Sequence, residues 1–174
     1  MRSSGMANTR KVALGGILLA LTVLILYAES VMPTSKLSLY ALSSFFVSVI
    51  VIESGIRAGW IFYVASSLLA LIIIPDKIAL IPYLVFFGVY GIIKFYVEKL
   101  NKPVLEYIFK VAYFNACLAA AFLLIKEFFL ESVRVDFPWW AVIAVLEVVF
   151  IIYDYVYTLF IQYYNQKIKK MIRL

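Results

Sequence analysis

The side chains best placed to do chemistry are the charges that interrupt otherwise apolar stretches. Lys94 lies inside Ile81–Leu100, an apolar run that returns to water only at Glu98, Lys99 and Lys102. At about 1.5 Å per residue, Lys94 falls about 22 Å below the outer start of its helix. If neighbouring crossings run in alternate directions, Glu53, Lys110 and Asp154 reach a similar depth, with Arg57, Glu98 and Glu106 just beyond. Each such group alone in hydrocarbon costs several kcal/mol, so it is expected to pair or to face a wet interior. Two acids and two bases in one layer can tie helices together, or their lysines can snorkel to the interface. The same layer can also relay protons or ions, or couple to a partner.

Glu147 stands apart, in AVLEVVF, with no cation expected at its depth. It comes seven residues before Asp154, hence on nearly the same helix face. Asn115 sits at mid-depth of the preceding apolar run. With Tyr83, Phe86, Phe87, Tyr113, Trp139 and Trp140, these residues can line a cavity with aromatic walls and a few polar anchors, the usual make-up of a small-molecule site. The bland alternative for Glu147 is a carboxyl bonded to a neighbouring backbone or hydroxyl group. No histidine is present, and the single cysteine, Cys117, has no internal disulfide partner. The commonest metal ligands and the commonest general base are therefore missing, and neither a metal nor a cofactor is expected.

The elements that must position these groups are membrane-spanning helices. The 174 residues are 66% hydrophobic with a mean hydropathy of +1.01, whereas soluble domains hold about 45–50% apolar residues. Six apolar runs are expected to cross: Val12–Ala28, Leu39–Ile52, Trp60–Ile74, Ile78–Val97, Val104–Ile125 and Trp139–Ile161. The second is short and must borrow flanking residues or lie in a thinned region of the bilayer. The five prolines fall in loops or near run starts, where a missing N–H costs little. No small-x-small cleavage site precedes Glu29, so the first run is expected to be retained in the bilayer. The reading is an all-α polytopic membrane protein forming one integral domain over residues 1–174. A basic segment (1–11) precedes it and a basic amphipathic tail (162–174) ends it, the tail attracted to anionic lipid.

Charge placement orients this bundle. With six crossings and an inner N-terminus, twelve of the sixteen lysines and arginines fall inside. Lys36, Lys77, Lys126 and Arg134 fall outside. That asymmetry predicts cytoplasmic termini and multi-pass insertion in the cell membrane. It also accounts for the net charge of +6 without nucleic acid. Trp139 and Trp140 then lie at the outer interface and Tyr163-Tyr164 at the inner one.

In the first run, Ala13, Gly16 and Ala20 share a helix face, and small residues there let another backbone approach. The approaching helix can belong to this chain or to a separate subunit. A basic N-terminus, this small-residue helix, a proline-containing outer loop (Pro33) and six crossings resemble the substrate-binding S components of energy-coupling factor (ECF) vitamin transporters. The family's alanine-x-x-x-alanine signature is represented here by Gly16 and Ala20, with Ala13 nearby. The resemblance implies capture of a vitamin-like molecule from outside, in a pocket built by the outer loop and the last three helices. It further implies docking to a transmembrane coupling subunit with its ATPases, or ligand sensing without transport.

Two other functions fit the residues. One is a lipid-processing membrane enzyme using Glu147 and Asp154 as general acid and base. Their depths differ by about 10 Å at the helical rise, too far for one reacting bond. The other is a structural or regulatory subunit with no ligand, in which the charged layer only holds helices together.

Overall fold

The computed structural model describes residues 2–32, 34–100, 102–129 and 138–168. Among these there are helices and no strands. Helix α1 is Arg2–Val31, α2 is Lys36–Ser54 and α3 is Ile56–Ile73. Helix α4 is Lys77–Glu98 and contains a wide π turn at Tyr83–Phe87. Helix α5 is Pro103–Phe129, and α6 is Trp139–Tyr163, followed by a π turn at Tyr164–Ile168. All six are long and apolar enough to cross a membrane. The chain is thus an all-α polytopic membrane protein. Ile17, Leu24, Ile61, Ile72, Val145 and Ile152 are exposed along these helices. A water-soluble surface does not carry so much apolar area. The short second run is completed as expected by borrowing flanking residues, Lys36 to Leu37-Ser38 at one end and Glu53-Ser54 at the other.

The chain divides into two compact units, Met1–Glu106 and Tyr107–Leu174. In the first, α1 packs on α2 and α3, and α2 packs on α3 and on the later part of α4. Small side chains make this possible. Ser43, Ser44 and Ser48 of α2 and Ser66 of α3 are buried. Lipid tails are as apolar as leucine, so helices in a membrane associate by close packing rather than by the hydrophobic effect. Some of the buried hydroxyls are satisfied within their own helix: Ser43 Oγ donates to Tyr40 O at 2.7 Å and Thr22 Oγ1 to Leu18 O at 2.8 Å, whereas Ser67 Oγ is buried with no hydrogen bond. Around them Leu26, Val47, Ala70, Leu80 and Ile92 form the apolar core.

The turns are equally specific. A single residue, Gly55, joins α2 to α3 at φ +88°, a conformation that side chains with a Cβ rarely adopt. Asp76 caps α4 by accepting from the backbone N–H groups of Ile78 (3.0 Å) and Ala79 (3.2 Å). Lys77 Nζ donates to the last carbonyls of α3, those of Leu71 and Ile74. Pro82 lies just before the π turn. Within the turn, the Tyr63 hydroxyl donates to Leu84 O at 2.7 Å, giving a loosened carbonyl a partner.

In the second unit α5 and α6 are tied by paired side chains. The Phe114 and Phe150 rings stack with centroids 4.4 Å apart and planes at 8°. One turn away along both helices, Lys110 meets Asp154.

Candidate functional site

The site is clearest in the second unit. Asn115 of α5 and Glu147 of α6 face each other, and Asn115 Nδ2 donates to Glu147 Oε1 at 2.5 Å and to Val111 O at 3.0 Å. Both of these partners are acceptors, so the amide nitrogen, not the amide oxygen, must point at them. That consumes both N–H groups of Asn115. Among the described residues, Asn115 Oδ1 and Glu147 Oε2 then have no protein hydrogen bond. The pair therefore presents acceptors only. Asn115 is exposed and Glu147 half-buried, so the pair is not sealed inside the chain's own core. An arrangement of this kind recognises a group rich in N–H or O–H donors, an ammonium above all.

Below it, Lys110 Nζ lies 3.1 Å from Asp154 Oδ2, with side-chain exposures of 9% and 21%. The stacked Phe114–Phe150 pair separates this ion pair from the Asn115–Glu147 pair along the helices. The ion pair closes one end of the polar track, and its charges neutralise each other. Tyr113 is half-buried, Trp140 is 74% exposed at the start of α6, and the Trp139 side chain lies outside the described residues.

The remaining candidates belong to the first unit. Tyr83, Phe86 and Phe87 all sit on the π turn and are buried. Phe87 stacks on Tyr40 at 5.2 Å, Phe86 packs on Tyr90 at 5.1 Å, and the Tyr83 hydroxyl bonds Ser66 Oγ at 2.7 Å. There they act as packing that locks α2, α3 and α4 together. Lys94 is fully buried, and its ammonium pairs with Glu98 Oε1 at 2.9 Å, one turn on in the same helix. Both residues make further contacts, as does Glu53. Arg57 is exposed. Ala13, Gly16 and Ala20 all lie exposed on α1, and a Cβ at Gly16 would meet nothing within 4 Å.

One residue escaped the sequence reading. Glu29 is fully buried, neither of its carboxylate oxygens has a hydrogen bond, and Lys36 Nζ stands 3.7 Å from Oε1. It marks the end of an apolar run, where a glutamate ordinarily reads as the return to water. Its burial comes from α1 packing against α2 and the start of α4. Lys36 and Tyr40 downstream are the only sequence signals that could have pointed to it. Among the described residues no cluster of His, Cys, Asp or Glu could hold a metal ion.

No protein-family model, curated protein or solved structure matches this chain.

Proposed function

We propose that this multi-pass protein resides in the cell membrane and binds a small, vitamin-like molecule bearing donor groups, at the acceptor pair Asn115 and Glu147. The single observation that carries the reading is the Asn115–Glu147 hydrogen bond, which together with the bond to Val111 O spends both amide protons and leaves only acceptors for a ligand. An amide and a carboxylate amid apolar helices are costly unless covered, and a protonated amine or hydroxyl-rich ligand supplies the missing donors. Trp140, seven residues before Glu147 and so on nearly the same face of α6, is available as flanking aromatic surface. The ligand class agrees with the S-component resemblance. So does the open small-residue face of α1, which no helix of the first unit fills at Gly16. On this reading the face meets a transmembrane coupling subunit with its ATPases, and both chain termini are cytoplasmic.

The lipid-enzyme alternative is disfavoured because Glu147 and Asp154 lie about 10 Å apart along α6 at the helical rise, and Asp154 is paired with Lys110. The test is ligand-induced thermal stabilisation of the detergent-purified protein against a panel of amine-bearing and neutral vitamins. Amine-bearing compounds should raise the melting temperature of the native chain and not of Glu147→Gln or Asn115→Leu. Equal shifts for all three proteins would remove the site. Separately, Gly16→Leu should leave that stabilisation intact and abolish cellular uptake; unchanged uptake would remove the docking role of α1.

A further inference from the structure

A second site lies in the first unit, on a different side of α1. Helices α1, α2 and α3 enclose a groove of about 490 Å³. Its lining is graded along its length. Lys11 of α1 and Ser54 of α2 stand at one end, and Gly15, Leu19, Ile50 and Ala65 continue from there. The gradient follows from the up-and-down course of the chain. Helix α1 leaves this end at Lys11, α2 arrives at Ser54, and α3 departs again after Gly55. From Lys11 to Leu19 the groove runs about 12 Å along the helix. One leaflet contributes about half of a hydrocarbon core of about 30 Å, so the groove spans most of a leaflet.

We propose that this groove is a specific site for an anionic phospholipid, with the phosphate at Lys11 and an acyl chain lying over Gly15 toward Leu19 and Ala65. Charge complementarity selects the headgroup. Lys11 lines the mouth, exposed Arg10 and Arg57 adjoin the lining residues Lys11 and Ala58 in sequence, and the one acid adjoining the lining, Glu53 before Ser54, is engaged in a contact of its own. The body of the groove offers no polar group to a sugar, peptide or nucleotide. Gly15 makes the seat: a Cβ there would meet nothing within 4 Å, so the space above it belongs to the occupant. Lys11, Gly15 and Leu19 are spaced by four and form one stripe. Ala13, Gly16 and Ala20 lie about a third of a turn round the helix at 3.6 residues per turn. The lipid site is thus separate from the proposed docking face, and from the acceptor pair in the other unit.

The experiment is native mass spectrometry of delipidated full-length protein in neutral detergent, titrated with phosphatidylglycerol and with phosphatidylcholine of the same acyl chains. The native chain should bind one phosphatidylglycerol at saturation, about fivefold tighter than phosphatidylcholine, as one lysine at a headgroup provides. Lys11→Gln should abolish the preference, while Lys102→Gln, an exposed cation elsewhere, should keep it. Gly15→Leu should weaken both lipids while leaving helix content by circular dichroism unchanged. Equal affinity for the two lipids in the native chain would overturn the proposal. So would undiminished binding to Gly15→Leu, or lipid adducts that accumulate without saturating.

Discussion

Breaking the Lys110–Asp154 pair tests whether α5 and α6 are held as described. The charges are 3.1 Å apart, and both side chains are largely withdrawn from solvent. At an effective dielectric constant of about 20, attraction at that distance is about 5 kcal/mol before desolvation is subtracted. Removing one partner takes the ion-pair partner from the other charge in a poorly solvated place, which typically costs about 3–5 kcal/mol. Asp154 retains some exposure, so the lower end applies: Asp154→Asn should destabilise by about 3 kcal/mol and Lys110→Met by slightly less. The double variant Lys110→Met/Asp154→Leu removes both charges and should fall within about 1 kcal/mol of the native chain. The assay is reversible unfolding in mixed micelles, followed by far-ultraviolet circular dichroism as the denaturing detergent fraction rises. A double-mutant cycle then isolates the coupling, expected at about 2–4 kcal/mol. Coupling below about 0.5 kcal/mol would refute the pairing and mean that Lys110 snorkels to the interface instead.

Two further outcomes concern the first unit, each read as a melting temperature in detergent. A Cβ at Gly88 would stand 2.7 Å from two ring atoms of Tyr63 and 2.9 Å from Tyr83 O. Gly88→Ala should therefore destabilise by about 1–3 kcal/mol, and an unchanged melting temperature would contradict the tight seating of the π turn. Glu29→Met removes two buried oxygens that lack hydrogen bonds, at the loss of a loose 3.7 Å contact with half-exposed Lys36, and should stabilise by about 1–3 kcal/mol. A lowered melting temperature would mean that the contact with Lys36 outweighs the cost of burying the carboxylate.

The spans were legible because hydropathy over some twenty residues is a cumulative signal that local detail cannot erase. Depth was legible only as a layer: the helical rise put Lys110 and Asp154 level with Glu53 and Lys94 without choosing the pairs, and put Asn115 at mid-depth without giving Glu147 as its partner. Helix faces were harder. Tyr83, Phe86 and Phe87 lie in α4, which is apolar on all sides and is the most buried of the six spans. Periodicity therefore could not separate a cavity wall from a core, and the π turn shifts the faces again. The ion pair of Lys94 with Glu98 is an i,i+4 contact within one helix, a local solution where depth arguments favour partners on other crossings. Glu29 was opaque for a different reason: its burial depends on how α1, α2 and α4 pack, which no single segment encodes. The groove beside Gly15 likewise exists only once three helices meet.

If Asn115 and Glu147 bind a donor-rich small molecule, that molecule should co-purify with the protein. Native mass spectrometry of the gently purified protein should reveal a stoichiometric small-molecule adduct carrying an amine or several hydroxyls. The adduct should be absent from Asn115→Leu and Glu147→Gln preparations that keep the native helix content. A native chain that shows no adduct after incubation with amine-bearing vitamins, or an adduct that persists undiminished in both variants, would rule out binding at this pair.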